Sequence, residues 1–344
     1  METTNVSTVP EGYEIYKQND TDNFILFQDI NFALGFAGSL VNIQLLLIMF
    51  TSFTYLSENK LISCLAIGDC LNCLGVMLQG LQRGNIYRKA FTQNIIPIQT
   101  YWSCAWMAFD LIQLLGALLP AITTFCMGCE RYLASNYLHI YRKKFNIWGT
   151  LFTTTCIAYT FVAVLIAFIL SFLNRDQKAN YWCGRKVSYT HNYMRFCYLM
   201  NVFCYFSCFL STTFCLIKVR RMLKSNNGNQ ENKDNLLRIK NLFVIVVIST
   251  ITVALPSLIS FATSFRGIAD VAIADASDWM LVFKSSMNLF VYFNLNMEFR
   301  KRVISIFKKI QVLLATKNTT PIIATKISVT QKSSVTKSKT ITLK

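Results

Sequence analysis

The chain has 344 residues, of which 53% are hydrophobic and only 15% charged, and its mean hydropathy is +0.39. A soluble domain carries roughly a quarter charged residues, so this composition favours a membrane protein, and an aromatic content of 14% excludes a disordered chain. The net charge of +17 indicates either nucleic acid or an anionic membrane face as a partner, and the position of the charge must decide between them.

Seven long apolar stretches follow one another along the chain. Each is near or above the roughly 20 residues that a helix needs to cross a bilayer, and backbone groups in lipid require the internal hydrogen bonds of a helix. The stretches are 24–50, 61–81, 101–127, 147–173, 193–217, 242–264 and 271–295. We therefore predict an all-α membrane protein, a seven-transmembrane helix bundle over 24–295 preceded by an extracellular tail, 1–23.

The distribution of Lys and Arg predicts the orientation of this bundle. The segments 51–60, 131–146, 218–240 and 296–344 together hold 23 of the 34 Lys and Arg residues. By the positive-inside rule these segments face the cytoplasm, which puts the N-terminus outside and the C-terminus inside at the plasma membrane. Most of the net charge is thereby explained without nucleic acid. No cleaved signal peptide is expected, and the sequons at Asn5 and Asn19 predict glycosylation of the outer tail.

Polar residues recur at defined depths within the apolar stretches. Intramembrane ionisable residues are costly, and each is a functional hypothesis by default. A proline within a helix also breaks its hydrogen-bond ladder. In chain order these residues are Asn42, Asp69, Glu130-Arg131-Tyr132 at the end of the third stretch, Pro256, Lys284, Asn288 and Tyr292.

The order and depth of these residues resemble those of the rhodopsin-like G-protein-coupled receptors, over about residues 24–314. The resemblance implies that Glu130, Arg131 and Tyr132 form the acidic-Arg-Tyr switch, with Asn288 and Tyr292 of the seventh-helix motif, and that Pro256 kinks the sixth helix. It also implies a structural role for Asn42, a sodium-pocket role for Asp69 and a disulfide between Cys104 and Cys183. The loop sequences around Gln82-Arg83 and Ile140-Tyr141-Arg142-Lys143 are similar to those of nematode serpentine chemoreceptors of the SRSX type.

The resemblance implies a receptor, chemosensory or for a peptide or small molecule, that converts outside ligand binding into activation of a heterotrimeric G protein. The ligand itself stays unknown. Five residues near the outer mouth are candidates for ligand contact, although packing and an aromatic belt explain them as well. They are Trp106, Asp110, Gln113, Phe261 and Phe265.

Lys284 complicates the sodium interpretation of Asp69. It lies one turn outward of Asn288 on about the same helix face, so its ammonium could reach Asp69 and replace the ion with a built-in cation. The alternative is that Asp69 is a structural residue bound to Asn42 and Asn288. The expected core polar network therefore comprises Asn42, Asp69, Lys284 and Asn288.

Several departures from the family pattern keep other functions open. Leu289 replaces the seventh-helix proline, and Ala254 replaces the tryptophan usually found two residues before Pro256. One alternative is a receptor-like protein that has lost G-protein coupling. Another is a seven-span ligand-gated channel, although the spans lack inverted repeats.

The remaining segments are predicted from their patterning. Residues 296–314 form an apolar face opposite lysines and arginines, typical of an amphipathic helix on membrane lipids. Residues 315–344 are expected to be a disordered cytoplasmic tail whose phosphorylation recruits an arrestin-like protein. We find no catalytic motif, no cofactor signature and no metal site, so no enzyme is expected.

Overall fold

The computed structural model describes residues 13–15, 21–51, 56–57, 59–93, 95–179, 181–225, 243–265, 271–295 and 297–318. Most of them lie in eight long helices, and short helices occupy Tyr101–Ala105, Leu138–Lys143 and Arg185–Ser188. The long helices are α1 (Thr21–Phe50), α2 (Lys60–Gln93), α3 (Ala108–Asn136), α4 (Phe145–Leu173), α5 (His191–Ser225), α6 (243–265), α7 (Val271–Leu295) and α8 (Met297–Asn318).

Two short antiparallel ladders join the outer tail and loops. Strand β1 (Tyr13–Ile15) pairs with β2 (Ile95–Pro97), with Glu14 opposite Ile96. Strand β3 (Gln99–Thr100) pairs with β4 (Lys178–Ala179), with Gln99 opposite Ala179. These pairings connect the segment before α1 and the α4–α5 loop to the segment between α2 and α3.

Six described helices are long and apolar enough to cross a membrane, which agrees with an all-α, multi-pass membrane protein. The predicted seventh stretch, 271–295, does form α7 with the predicted bounds. Its composition fails the same criterion because Asp275, Asp278 and Lys284 interrupt it. A seventh crossing therefore belongs to the proposal below. The six spans are Phe24–Phe50, Lys60–Gln93, Ala108–Asn136, Ile147–Leu173, His191–Arg221 and Phe243–Ser264.

The predicted bounds of the second and third spans were wrong. Helix α2 continues to Gln93, past the predicted end at 81, because its polar outer turns keep helical hydrogen bonding beyond the apolar segment. The third stretch was predicted to start at Tyr101, but a separate short helix ends at Ala105 and α3 starts at Ala108. Thr100 and Ser103 start that short helix with a reciprocal capping box. Helix α3 then runs past Glu130-Arg131-Tyr132 to Asn136.

The first three long helices approach one another closely at glycines. A Cβ on Gly80 of α2 would lie 2.9 Å from the Cα of Phe32 in α1, and a Cβ on Gly116 of α3 would collide with the backbone of Asn72 in α2. Helices in lipid gain stability from such close packing rather than from apolar burial. The three helices therefore form a tightly packed group, and α2 within this group carries the buried Asp69.

Helix α4 presents much of its apolar surface outward. Phe161 is 68% exposed, and Ile157 and Leu165 are also exposed. A soluble protein rarely exposes a continuous surface of this kind, whereas a bilayer is an apolar solvent for it. This surface supports the membrane assignment independently of sequence hydropathy.

Helix α6 is irregular immediately before its proline. Residues Thr250–Ala254 form a π-helix, and an α-helix resumes over Leu255–Phe265. In an α-helix the ring of Pro256 would collide with the carbonyl of Thr252, four residues earlier. A wider turn at this point relieves the collision.

The C-terminal part forms a separate compact unit, Glu298–Lys344. Its described residues lie in the helix Met297–Asn318, which ends four residues beyond the amphipathic segment predicted for 296–314. Most of the predicted disordered tail and both outer sequons lie outside the described residues.

Candidate functional site

A fully buried ion pair joins α2 to α7 in the interior of the bundle. The Nζ of Lys284 lies 2.7 Å from Oδ1 of Asp69, and the two side chains are 2% and 0% exposed. Ser285 also donates to Oδ1 at 2.9 Å, and the amide of Asn288 donates to Oδ2. Lys284 and Asn288 are one turn apart, so both reach the same carboxylate. The built-in cation expected from the spacing is thus in contact with Asp69.

One member of the predicted core network is not bonded to Asp69. The amide of Asn42 donates to Gly38 O at 2.9 Å and contacts Cys73 Sγ at 3.5 Å, and it makes no hydrogen bond to Asp69. The described network is Asp69, Lys284, Ser285 and Asn288. Sequence reasoning missed Ser285 because a hydroxyl in an apolar stretch carries no signal without its partner.

The C-terminal end of α3 holds the predicted switch residues in separate contacts. Arg131 Nη1 donates to Thr212 Oγ1 of α5 at 2.9 Å. Glu130 accepts from the hydroxyl of Tyr141 at 2.6 Å. Burial, and then the Glu130 carboxylate, raises the pKa of Tyr141, so its phenol stays protonated and donates. A switch of this kind implies that Arg131 pairs with its neighbour Glu130 at rest, but among the described ion pairs none joins these two residues.

The other switch residues do not join this contact. Tyr132 is 45% exposed, and its ring packs near Phe214 at 5.8 Å between centroids. Tyr292 is buried on α7, and Asn288 belongs to the central ion-pair network. The five predicted switch residues are therefore distributed over two places along the bundle.

A disulfide and a buried arginine fix the α4–α5 loop over one end of the bundle. Cys104 is bonded to Cys183, the pair that the resemblance implied, with 5.5 Å between their Cα atoms. Arg83 donates to the carbonyl of Cys183 at 2.9 Å and lies over the rings of Phe109 and Trp182. The sequence placed Arg83 in an outer loop, whereas it is a buried residue of α2.

A narrow polar cleft opens beside this loop. An ion pair crosses it, with Arg185 Nη2 2.7 Å from Asp278 Oδ1 and side chains 16% and 9% exposed. The free space holds about one water molecule. The lining comes from α3, the outer loop, α5, α6 and α7: Ala117, Arg185, Tyr198, Asn201, Thr252, Val253, Ser257, Ser277, Asp278 and Leu281.

Of the five predicted ligand residues, the four whose side chains the structure describes do not line this cleft. Asp110 accepts from Ser188 at 2.6 Å, and Gln113 donates to Gln79, so both are buried in contacts between elements. Trp106 is 63% exposed and packs edge-on to Trp102 and Phe168. Phe261 is half-buried on α6, and the side chain of Phe265 lies outside the described residues.

The cleft residues gave no sequence signal of their own. Arg185 is one of several loop cations, and Asp278 weakens the hydropathy of the seventh stretch. Only the fold shows that these two residues, separated by 93 positions, form a pair.

Comparison with models of known protein families finds no match for the chain, and comparison with curated protein sequences finds none either.

Proposed function

We propose that the chain is a seven-helix receptor that couples an extracellular ligand to a heterotrimeric G protein at the plasma membrane. In this proposal α7 is the seventh crossing, the glycosylated N-terminus is outside and α8 lies on the inner leaflet. The observation that carries the proposal is that the irregular turn of α6 also lines the outer cleft. Thr252 and Val253 belong to the π-helix, and Ser257 follows Pro256.

This arrangement provides a mechanical route from ligand to cytoplasm. A group that enters the cleft contacts the irregular turn of α6 directly. It can favour one of two conformations of that helix only if it binds that conformation more tightly than the other. Because Pro256 cannot complete the hydrogen-bond ladder, a change of bend there costs less than elsewhere. A bend at this turn displaces the inner end of α6.

The inner end of α3 supports the other half of the proposal. Arg131 donates to the Thr212 hydroxyl and the Cys208 thiol of α5, and no described ion pair joins it to Glu130. A guanidinium in such a contact keeps donors for the carbonyl groups of an inserted peptide. Basic residues of the neighbouring inner segments suit both a G protein and anionic lipid, and the phosphorylated tail would receive an arrestin-like partner.

The test is nucleotide exchange on purified heterotrimeric G proteins by the full chain in lipid nanodiscs. We expect the wild-type chain to accelerate exchange on at least one class of G protein. Arg131→Ala should reduce that rate at least about tenfold, the effect of losing roughly 1.4 kcal/mol of interaction. Arg175→Ala is the matched control, because Arg175 is exposed in the outer α4–α5 turn. Equal rates for wild type and Arg131→Ala on every class would contradict the proposal.

A further inference from the structure

Amide side chains lie on two opposite faces of α1. Asn31 is buried against α7, where it accepts from Nε1 of Trp279. Asn42 is buried against α2, where its amide contacts Cys73 Sγ. Gln44 is exposed on the opposite face, and no hydrogen bond joins its amide to any residue that the structure describes. Gln44 is thus an amide of α1 without a partner in the described bundle.

The Gln44 amide lies within the apolar part of the span. It is six residues before the end of α1 at Phe50, which corresponds to about 9 Å along the helix axis. The exposed side chains one turn to either side of it are Leu40 and Leu47, and both are apolar. A carboxamide has two N–H donors and an acceptor oxygen, and hydrocarbon offers no partner for any of them. In lipid, this amide is therefore unsatisfied in a single copy of the chain.

The lipid-facing surface of α4 provides a contrast. Thr155 is exposed there, and its hydroxyl donates to the carbonyl of Leu151 in the same helix at 2.9 Å. A threonine hydroxyl can bond in this way to the carbonyl one turn earlier, so it needs no second protein in lipid. The Gln44 amide makes no such bond within α1, and a partner from outside the chain would satisfy it.

The face of α1 that carries Gln44 has the spacing of a two-helix seam. Steps of three and four residues alternate between its members, which places them on one line along the helix, away from the buried face. They are Ile30, Ala33, Ala37, Leu40, Gln44 and Leu47. Small residues in such a line let two membrane helices approach closely, and an amide can hydrogen-bond across them. A single polar residue in an apolar seam also fixes the register and orientation of the two helices.

We infer that α1 binds α1 of a second copy of the chain, in a parallel two-fold dimer in which the two Gln44 amides hydrogen-bond to each other. Copies of one chain insert in the membrane with the same orientation, so a two-fold axis along the membrane normal brings each seam residue near its own counterpart. An amide donates and accepts, so it complements its own copy, whereas two like charges would repel. The inference does not depend on G-protein coupling.

The test measures self-association of the full chain in phosphatidylcholine vesicles. Donor-labelled and acceptor-labelled copies are mixed, and energy transfer is followed as added lipid dilutes the protein in the membrane. We expect more transfer for the wild type than random proximity gives. Gln44→Leu should raise the dissociation constant about tenfold, because the amide pair is lost, and Gln44→Asn should retain most of the association. Because Gln44 faces lipid, Gln44→Leu should not lower the unfolding temperature of the diluted protein.

Helix α4 supplies matched controls. Thr155→Val also removes a lipid-facing polar group, but one that its own helix satisfies, so the dissociation constant should not change. Ala37→Phe should weaken association because it separates the two helices, whereas Ala158→Phe, on the exposed surface of α4, should not. Transfer no higher than random proximity, or equal dissociation constants for the wild type and Gln44→Leu, would overturn the inference.

Oxidative cross-linking in cell membranes distinguishes a second copy from a different partner. Leu40→Cys places a thiol on the seam, and Leu34→Cys places one on an exposed position beside it. We expect covalent homodimers from Leu40→Cys well above the yield from Leu34→Cys and from the wild type. Equal yields from the two variants, or a cross-link of Leu40→Cys to another membrane protein instead of to itself, would contradict the two-fold dimer.

Discussion

At the scale of single residues, Lys284 shows how a charge is accommodated inside the bundle. Its ammonium and the Asp69 carboxylate are both removed from water, and Ser285 and Asn288 satisfy the remaining acceptor capacity. Removing one partner of a buried pair leaves the other charge uncompensated, whereas removing both can be nearly neutral. The pair therefore ties α2 to α7 and occupies the position where the resemblance implies a sodium ion.

Lys284→Gln should lower the free energy of unfolding by about 3–5 kcal/mol, because Asp69 is left as an uncompensated buried charge. The double variant Lys284→Met with Asp69→Leu should recover much of this loss. Thermal unfolding of the full chain measures both effects. We also expect sodium to stabilise Lys284→Gln and not the wild type. A wild type whose unfolding temperature rises with sodium, against a potassium control, would contradict the built-in cation.

Tyr141 has a role that no sequence motif indicated. Its phenol donates to Glu130, while Arg131 donates to Thr212, and we infer that the phenol competes with Arg131 for this carboxylate. Tyr141→Phe should release Glu130 to Arg131 and reduce basal nucleotide exchange severalfold, with a change in stability of about 1 kcal/mol. Tyr137→Phe is the control, since Tyr137 is 56% exposed. Exchange that is unchanged or faster in Tyr141→Phe would argue against this role.

At the scale of elements, the π-helix Thr250–Ala254 is the irregular part of α6, and two of its residues line the cleft. Pro256→Ala removes the collision with the preceding turn and allows a regular α-helix. We expect slower hydrogen exchange of the backbone amides at 250–256 and a smaller response of nucleotide exchange to ligand.

Pro120→Ala is the matched control for the α6 variant, because Pro120 lies inside α3 and no π-helix accompanies it. Its effect on hydrogen exchange should stay within α3. If both variants leave exchange at 250–256 unchanged, the proline does not maintain the π-helix.

The elements also show what the sequence could and could not predict. Apolar length predicted seven spans, and six of the described helices are long and apolar enough to cross a bilayer. Spacing along one helix predicted that Lys284 reaches Asp69. Pairs across distant segments could not be predicted: Arg131 and Thr212 are 81 positions apart, and Arg185 and Asp278 are 93 apart. The break before α3 was missed because a capped turn and a helix are equally apolar there.

Helix α7 is the element where hydropathy misleads most. A hydropathy sum counts Asp278 and Lys284 as isolated charges, each costly in lipid. The fold pairs the first with Arg185 and the second with Asp69, so neither faces lipid as an isolated charge. The membrane cost of α7 is thus lower than its composition indicates, which supports the proposed seventh crossing.

At the scale of the whole molecule, the number of crossings fixes the sides on which the two termini lie. Six crossings put both termini on one side, whereas a crossing α7 puts them on opposite sides. The G-protein proposal requires Arg131 and the basic segments inside, and hence seven crossings with the N-terminus outside. Whether the number of membrane crossings is even or odd therefore tests the proposal without knowledge of a ligand.

Glycosylation mapping of the full chain in cells makes this test directly. Asn318-Thr319-Thr320 near the C-terminus is also a sequon. Each variant keeps one sequon: Asn5, Asn318, or a sequon appended beyond Lys344. We predict a glycan at Asn5 and none at Asn318 or the appended site. Glycans at both ends would mean that α7 does not cross the membrane, and a glycan only at the C-terminal end would invert the bundle. Either result would contradict the proposal. If α7 does not cross, the basic C-terminal segment lies outside, and if the bundle is inverted, Arg131 lies outside, away from the G protein.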